Sequence, residues 1–171
     1  SAVILSRQDF SNLRGGFLAH SVETDTSAYN SVRLRGTNGS GVFHPLNDEG
    51  STCYEISGLE VWKQAVRLVP SVVSGCLVKA DMTPGEVQCF IWHQANLNLI
   101  EYLMAKLRVP IERAIINVDI YGNTADASIG LALYDAYNDN KVVPGDIICI
   151  AGIGAGFMAG ASLLKVGEID A

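Results

Sequence analysis

The sequence predicts an α/β fold in which a mostly parallel sheet is covered by helices on both faces. From residue 58 onward, short apolar segments alternate with longer segments whose apolar residues recur at helical spacing. The last two apolar segments are separated only by a glycine-rich stretch at residues 152–160, which is too short for a crossover. We therefore expect the final two strands to be antiparallel.

The first fifty residues contain two predicted strands and the start of a long loop. Residues 1–5 and about 16–22 are apolar enough for strands, with a polar connection between them. Residues 23–57 are polar, rich in Gly, Asn, Ser and Thr, and keep neither strand nor helix periodicity, so we predict a loop. The chain begins without Met inside a predicted strand, which indicates a fragment or a processed piece.

A long helix is predicted over residues 58–79, where a wide apolar stripe recurs at helical spacing. Pro70 is expected to kink it, because proline removes a backbone donor and clashes with the preceding turn. We expect neither a membrane span in this segment nor a signal peptide, because the given sequence has no apolar run long enough to cross a bilayer. The charged residues in this helix are Glu60, Lys63, Arg67 and Lys79.

The rest of the chain alternates between the two kinds of segment. Short, fully apolar segments indicate buried strands, and segments of helical periodicity end at proline or polar residues. Thr83 followed by Pro84 has the pattern of a helix cap and a first helical residue. The predicted strands are residues 89–92, 115–118, 147–150 and 161–166, and the predicted helices are residues 97–107 and 128–138.

Composition excludes some classes of function. The chain has 171 residues, of which 49% are hydrophobic, enough for a core without disulfides. Its net charge of −6 argues against nucleic-acid binding through a broad basic face. Only 18% of the residues are charged, which is low for a small monomer, so we expect more protein to cover part of the surface.

The cysteines and histidines do not suggest a metal site. Neither zinc spacing nor an H-E-x-x-H motif nor a cluster of carboxylates is present in the sequence, so we predict no metal. Three of the four cysteines lie in apolar runs, which is typical of buried free thiols in a reducing compartment, and we expect a cytoplasmic protein. The four cysteines are Cys53, Cys76, Cys89 and Cys149.

Two polar side chains, His93 and Asn123, are candidates for chemistry. His93 lies in W-H-Q-A-N at 92–96, and Asn123 lies in Y-G-N-T at 121–124. Taken separately, the first is most simply a structural histidine and the second an ordinary turn residue. Each follows a predicted strand and precedes a helix, so both are expected at one edge of the sheet. Two neutral donors that converge there would form an oxyanion site for an enolate or a tetrahedral intermediate.

The glycine-rich stretch at 152–160 is a third candidate. It mimics a dinucleotide fingerprint, but only 12 residues follow Ala159, too few for the acidic residue that this motif requires. Glycine also allows a backbone to approach a ligand closely or to present an N–H to a developing charge, which is the interpretation that we prefer. A tight turn between two strands is the simpler alternative.

Four segments together resemble the C-terminal half of β-ketoacyl-acyl-carrier-protein synthase III, of the thiolase superfamily. The resemblance covers essentially the whole chain, and its segments agree in order and spacing. It implies a layered thiolase-like fold, in which residues 1–50 hold the last strands of the N-terminal half and a connecting loop, and residues 51–171 form the C-terminal domain. The segments are G-L-E-V-W-K-Q-A-V at 58–66, W-H-Q-A-N, N-V-D-I-Y-G-N-T-A-D-A-S at 117–128 and the glycine-rich stretch.

The implied reaction is a decarboxylating Claisen condensation that starts a fatty-acid chain. A cysteine takes an acyl group from acyl-CoA, and malonyl-acyl-carrier protein loses CO₂ and attacks it. The resemblance makes His93 and Asn123 the catalytic donors to the malonyl thioester oxygen, and the backbone near Ala155 part of an oxyanion hole. It implies no cofactor beyond the CoA and carrier-protein thioesters that are substrates, and a homo-oligomer. The residues implied to line the pantetheine tunnel are Gly58, Trp62, Ala95 and Asn96.

The chain departs from the family pattern at three places. None of its cysteines matches the nucleophile, which belongs to the N-terminal half, so the chain alone is expected to be inactive without that half or a cysteine-bearing partner chain. Ala155 stands in a run where the family has Gly, and Asn98 stands where many members carry Arg for carrier-protein docking. A related thiolase-fold acyltransferase of specialised metabolism, or a non-catalytic partner subunit or isolated domain, are the alternatives.

Overall fold

A computed structural model of the chain describes residues 15–34 and 54–167. The predicted strand over 1–5 and Cys53 lie outside these residues. Three 3₁₀ turns accompany the helices and strands, at Tyr29–Ser31, Pro84–Glu86 and Ile111–Arg113. The helices are α1 (Gly58–Lys79), α2 (Leu97–Leu107), α3 (Val118–Tyr121) and α4 (Ala127–Asn138), and the strands are β1 (Gly16–Thr24), β2 (Val32–Leu34), β3 (Tyr54–Ile56), β4 (Cys89–Trp92), β5 (Ile147–Gly154) and β6 (Met158–Lys165).

Four of the strands form one sheet in the order β1-β6-β5-β4. β4 runs parallel to β5, and a parallel bridge between Phe90 and Ala114 extends this side of the sheet. β6 runs antiparallel to both β5 and β1, so the predicted antiparallel arrangement of the last two strands is confirmed. The short strands β2 and β3 form a separate antiparallel pair.

β1 lies in the same sheet as the strands at the end of the chain. Its pairing with β6 extends from Gly16 opposite Lys165 to Thr24 opposite Met158. We expected β1 to belong to the end of the N-terminal half. It lies in a sheet whose other strands all come from residues 51–171. The boundary at residue 50 itself stays a prediction.

α1 covers one face of the sheet with the apolar stripe that the sequence predicts. Leu68, Val72 and Cys76 on this stripe are buried within the larger hydrophobic core. The helix passes through Pro70 and continues to Lys79. It approaches β1 closely at Gly75, where an added Cβ would lie 2.7 Å from Oγ of Ser21. A larger residue at this position would force the Ser21 side chain to move.

β4 is apolar at every position because both of its faces are buried. Phe90 and Trp92 belong to the core under α1 and α2, and their rings stack with centroids 5.6 Å apart. Cys89 and Ile91 belong to a second core on the opposite face. There α4 contributes small buried residues, including Ala132, which allow the helix to pack closely against the sheet.

The predicted strand over 115–118 is wrong. Within the described residues, this segment pairs with β4 only through the isolated bridge at Ala114, which includes the bond from the Ile115 N–H to the Phe90 carbonyl at 3.0 Å. The Gln94 side chain bonds the Ile115 carbonyl and the Asn117 N–H, two groups that a longer ladder would use. The chain then turns directly into α3.

Two predicted loops also contain more regular structure than expected. In the described part of the 23–57 segment, β2 and β3 pair with each other. The glycine-rich loop at 152–160 is reduced to residues 155–157, because β5 extends to Gly154 and β6 begins at Met158. Small residues fit these strands because space is limited, and a Cβ on Gly152 would lie 3.1 Å from Cβ of His93.

Candidate active site

A cavity of about 720 Å³ opens beyond the carboxyl ends of β4 and β5. The N-terminal turns of α1, the segment after β4, the segment before α4 and the β5–β6 turn surround it. The structure brings all seven of the predicted site residues to this one cavity, although their roles remain predictions. The seven are Gly58, Trp62, His93, Ala95, Asn96, Asn123 and Ala155.

His93 is held at the end of β4 by both its backbone and its ring. Its N–H donates to the Ala151 carbonyl at 2.9 Å, and Nδ1 lies 2.6 Å from Oγ of Ser128. Burial lowers the pKa of the imidazole below its ordinary value, and the nearby Asp126 carboxylate only partly opposes this shift. The ring is therefore neutral at neutral pH, so it suits hydrogen bonding to an oxyanion without transfer of its proton.

Asn123 lines the cavity and lies in a tight turn. Its Oδ1 accepts the backbone N–H of Ala125 at 3.0 Å, which uses the acceptor of the amide in an Asx turn. Among residues 15–34 and 54–167, no hydrogen bond occupies Nδ2. The preceding Gly122 has a φ of +68°, a conformation that favours glycine. The turn thus leaves a free donor at the cavity.

Hydrogen bonds to Asp25, the residue that follows β1, hold the turn that carries Ala155. Phe157 and Asp25 exchange both backbone hydrogen bonds, at 2.6 and 2.8 Å. Asp25 in turn is bonded by the Arg67 guanidinium of α1, which also lies 3.7 Å from a carboxylate oxygen of Glu23. Phe157 is buried, whereas Ala155 is exposed at the cavity. The backbone at Ala155 is therefore accessible to a ligand, and the hydrogen bonds of Phe157 anchor the turn two residues further along the chain.

Gln94 connects the two segments that carry the candidate donors. Its side chain is completely buried, and Nε2 donates to the carbonyls of Trp92 and Ile115, both at 3.0 Å. Its Oε1 accepts the Asn117 N–H at 3.1 Å. The W-H-Q-A-N motif did not predict this role. The signal for a buried polar clamp was an uncharged amide two residues after a fully apolar strand.

Asn96 and Trp62 occupy the rim of the cavity. Oδ1 of Asn96 accepts the Leu99 N–H at 2.9 Å, so this residue caps the N-terminus of α2. Trp62 contacts Tyr102 edge-on, with ring centroids 5.8 Å apart. This contact joins α1 to α2 beside the cavity.

Ser128 is a further site residue that the sequence pattern did not reveal. It lies in the first turn of α4, is buried, and contacts both the His93 ring and the Gln94 backbone N–H. It is 35 residues from His93 along the chain, so only the fold brings the two together.

The three described cysteines do not line the cavity. Cys76, Cys89 and Cys149 are buried free thiols, as predicted. Burial raises the pKa of Cys89 to about 11 and also raises the pKa values of Cys76 and Cys149. These thiols remain protonated at neutral pH and are poor nucleophiles. Within the described residues no group of three metal-ligating side chains is found, and no helix there is long and apolar enough to cross a membrane.

Two curated proteins that are similar to this chain have the same name. The chain is 46% identical over 110 residues to a β-ketoacyl-[acyl-carrier-protein] synthase III of Pyropia yezoensis, covering 64% of this chain and 34% of the relative. It is 37% identical over 135 residues to a protein of the same name from Campylobacter fetus, covering 77% of the chain and 41% of the relative. The chain thus spans well under half of the length of these relatives.

Solved structures show the same likeness in three dimensions. A 3-oxoacyl-[acyl-carrier-protein] synthase III from Aquifex aeolicus superposes with a TM-score of 0.78 at 32% identity, covering 91% of this chain and 46% of that one. The priming β-ketosynthase of the R1128 polyketide pathway gives a TM-score of 0.79 at 27% identity, covering 90% and 46%. The predicted thiolase-like α/β fold is confirmed by these structures.

A family model assigns the chain directly. The model described as 3-oxoacyl-[acyl-carrier-protein (ACP)] synthase III C terminal matches residues 77–166, which is more than half of the chain. The match begins in the last turns of α1 and includes both candidate donors and the turn at Ala155. The chain therefore belongs to the 3-oxoacyl-[acyl-carrier-protein] synthase III family, and it represents the C-terminal portion of such a protein.

Proposed function

We propose that the chain is the C-terminal part of a condensing enzyme that joins an acyl group from acyl-CoA to malonyl-acyl-carrier protein with loss of CO₂. The reaction would start a fatty-acid chain, in keeping with the names of its relatives. The observation that carries this proposal is that His93 and Asn123 line one cavity, where the amide nitrogen of Asn123 has no hydrogen-bond partner among the described residues.

In the decarboxylation step, His93 and Asn123 hydrogen-bond the thioester oxygen of the malonyl group. The carbon–carbon bond to the carboxylate breaks, CO₂ leaves, and the electron pair moves into an enolate whose oxygen becomes negative. Two neutral donors that converge on that oxygen are most useful as the charge develops. The lowered pKa of His93 keeps the imidazole neutral during this step.

In the condensation step, the enolate carbon attacks the acyl carbon of a thioester on a cysteine. A carbon–carbon bond forms, the carbonyl oxygen becomes an oxyanion, and its collapse breaks the carbon–sulfur bond and releases the thiolate. The backbone N–H at Ala155 would stabilise this oxyanion, supported by the anchored Phe157. Gly58, Trp62, Ala95 and Asn96 would line the path of the pantetheine arm.

The nucleophilic cysteine would come from the N-terminal half or from a cysteine-bearing partner chain, so the chain alone would be inactive. The burial of the three described thiols supports this view. Exposed apolar side chains on β1, with Phe17 at 59% and Val22 at 62%, support a face that is covered by more protein. We also propose that the complete protein is a cytoplasmic homo-oligomer. It would need no cofactor and would bind neither nucleic acid nor a membrane.

The test replaces His93 in the protein completed by its cysteine-bearing half. His93→Ala is expected to lower malonyl decarboxylation by about 10²–10³-fold, the usual cost of one oxyanion donor, while acylation of the partner cysteine continues. His20→Ala, at an exposed histidine on β1, is the matched control. Normal decarboxylation by His93→Ala would contradict the proposed role.

A second candidate is a related thiolase-fold acyltransferase of specialised metabolism whose extender unit is linked to CoA. Asn98, exposed in the first turn of α2 and uncharged, favours it, because an acidic carrier protein would gain from a basic residue there. For a carrier-protein enzyme, Asn98→Arg should increase use of malonyl-carrier protein relative to malonyl-CoA, and the gain should shrink with salt. An unchanged preference at low salt would favour the CoA-linked alternative.

A further inference from the structure

Ser128 makes two polar contacts in a buried position, and they define where its proton must go. The residue as a whole is 2% exposed. Its Oγ lies 3.3 Å from the backbone nitrogen of Gln94 and 2.6 Å from Nδ1 of His93. The Gln94 N–H is a donor under all conditions, so Oγ is the acceptor in that bond.

The second contact allows two arrangements of the proton. Either Nδ1 carries a proton and donates it to Oγ, or the hydroxyl donates to an unprotonated Nδ1. In the first arrangement Oγ accepts two bonds and its own proton needs another acceptor. Across the described ranges, Nδ1 is the only acceptor within hydrogen-bonding distance of this hydroxyl. Buried hydroxyl groups without a partner are rare because they lose their interaction with water.

We propose that Ser128 is a positioning residue that donates its hydroxyl proton to Nδ1 of His93 and so keeps the imidazole proton on Nε2. Nε2 is then a fixed donor for a molecule bound in the cavity. The bond also orients the ring, because Ser128 is fixed by α4 and by the Gln94 backbone. The catalytic consequence rests on the proposed function, whereas the tautomer does not.

The same hydrogen bond explains how a serine in helix α4 can affect a histidine at the end of strand β4. His93 follows β4 and Ser128 lies in the first turn of α4, so the bond joins the two elements on which the candidate donors depend. With the opposite tautomer, Nε2 would present a lone pair to the cavity and would repel a developing enolate oxygen. Ser128 thus determines whether His93 acts as a donor.

The first test is nitrogen NMR of the full 171-residue chain labelled in its three histidines. His93 is assigned by its disappearance in His93→Gln. At neutral pH, we expect the shift of a protonated ring nitrogen at Nε2 and the shift of an unprotonated one at Nδ1. The reverse pattern would overturn the proposal, whatever the activity of the completed protein.

The second test compares Ser128→Ala, Ser128→Thr and the control Ser74→Ala, which alters an exposed serine of α1. In the completed protein, Ser128→Ala should lower kcat for malonyl decarboxylation by up to about 10²–10³-fold with little change in KM, and should allow both tautomers in the NMR spectrum. Ser128→Thr keeps the hydroxyl and should retain the wild-type tautomer. If Ser128→Ala folds and keeps only the Nε2–H tautomer, the proposal is wrong.

The two tests separate this inference from the proposed function. A wild-type protein with the Nε2–H tautomer but no decarboxylation activity would contradict the proposed function and support the assignment of the Ser128 bond. An active wild-type protein with the Nδ1–H tautomer would contradict the assignment of the Ser128 bond and support the proposed function.

Discussion

The side-chain oxygen of Gln94 accepts the backbone N–H of Asn117 at 3.1 Å, which ties the segment after β4 to the segment that leads to Asn123. Its Nε2 completes the link through the carbonyls of Trp92 and Ile115. The two candidate donors are therefore held relative to one another by a fully buried amide.

Gln94→Leu should destabilise the chain, because the Asn117 N–H and the Ile115 carbonyl would both lose their partner in a buried place. An unpaired buried group costs about 1–3 kcal/mol, so we expect a loss of about 2–4 kcal/mol in the free energy of unfolding. Urea denaturation of the full chain measures it. Gln88→Leu is the control, since Gln88 is exposed and accepts only the Ile147 N–H. Equal losses for both variants would contradict the clamp.

His93 should make the stability of the chain depend on pH. Burial lowers the pKa of His93 in the folded state below the ordinary value of 6.5, so the unfolded state binds more protons in this range. The stabilising contribution is complete above about pH 6.5 and is lost progressively as the pH falls below it. Between about pH 7.5 and pH 5, the free energy of unfolding should therefore fall more for wild type than for His93→Gln.

Urea denaturation across this pH range provides the measurement, with Ser74→Ala, at an exposed serine of α1, as the non-titrating control variant. A difference between wild type and His93→Gln that does not change with pH would show that the folded and unfolded states bind the proton equally well.

The two levels of prediction, fold and site, succeeded to different degrees. α1 and α2 and the strand at residues 89–92 were predicted within the observed bounds, because their apolar spacing reflects burial on one or both faces. The strand at 115–118 was not, because a side chain from Gln94 takes its backbone groups. Local periodicity contains no information about such a contact.

The candidate site was also predicted from the sequence only in part. His93 and Asn123 were identified because their types and motifs indicate donors after predicted strands. Both line the cavity, although Asn123 follows the short helix α3 and not a strand. Ser128 and Gln94 act through bonds that span 35 and 23 residues of sequence. The roles of such residues depend on the packing of α4 and on the path of the chain after β4, which only the three-dimensional structure defines.

None of the cysteines in this chain should become acylated. The full 171-residue chain is incubated with a short acyl-CoA and analysed by mass spectrometry. Because the described thiols are buried and protonated, we expect no stoichiometric adduct. Alkylation of the denatured chain at all four cysteines is the control that the thiols are reduced. Stoichiometric acylation of any one of them would show that this chain carries its own nucleophile.

The central claim is that this chain supplies two neutral donors to an enolate. It is tested most directly at Asn123, where Asn123→Asp preserves size but replaces the free amide donor with a carboxylate oxygen. In the protein completed by its cysteine-bearing half, malonyl decarboxylation should fall by at least about 10²–10³-fold, since a donor is lost and a negative charge is added beside the developing oxyanion. Acylation of the cysteine should continue. Decarboxylation at the wild-type rate by Asn123→Asp would contradict the account.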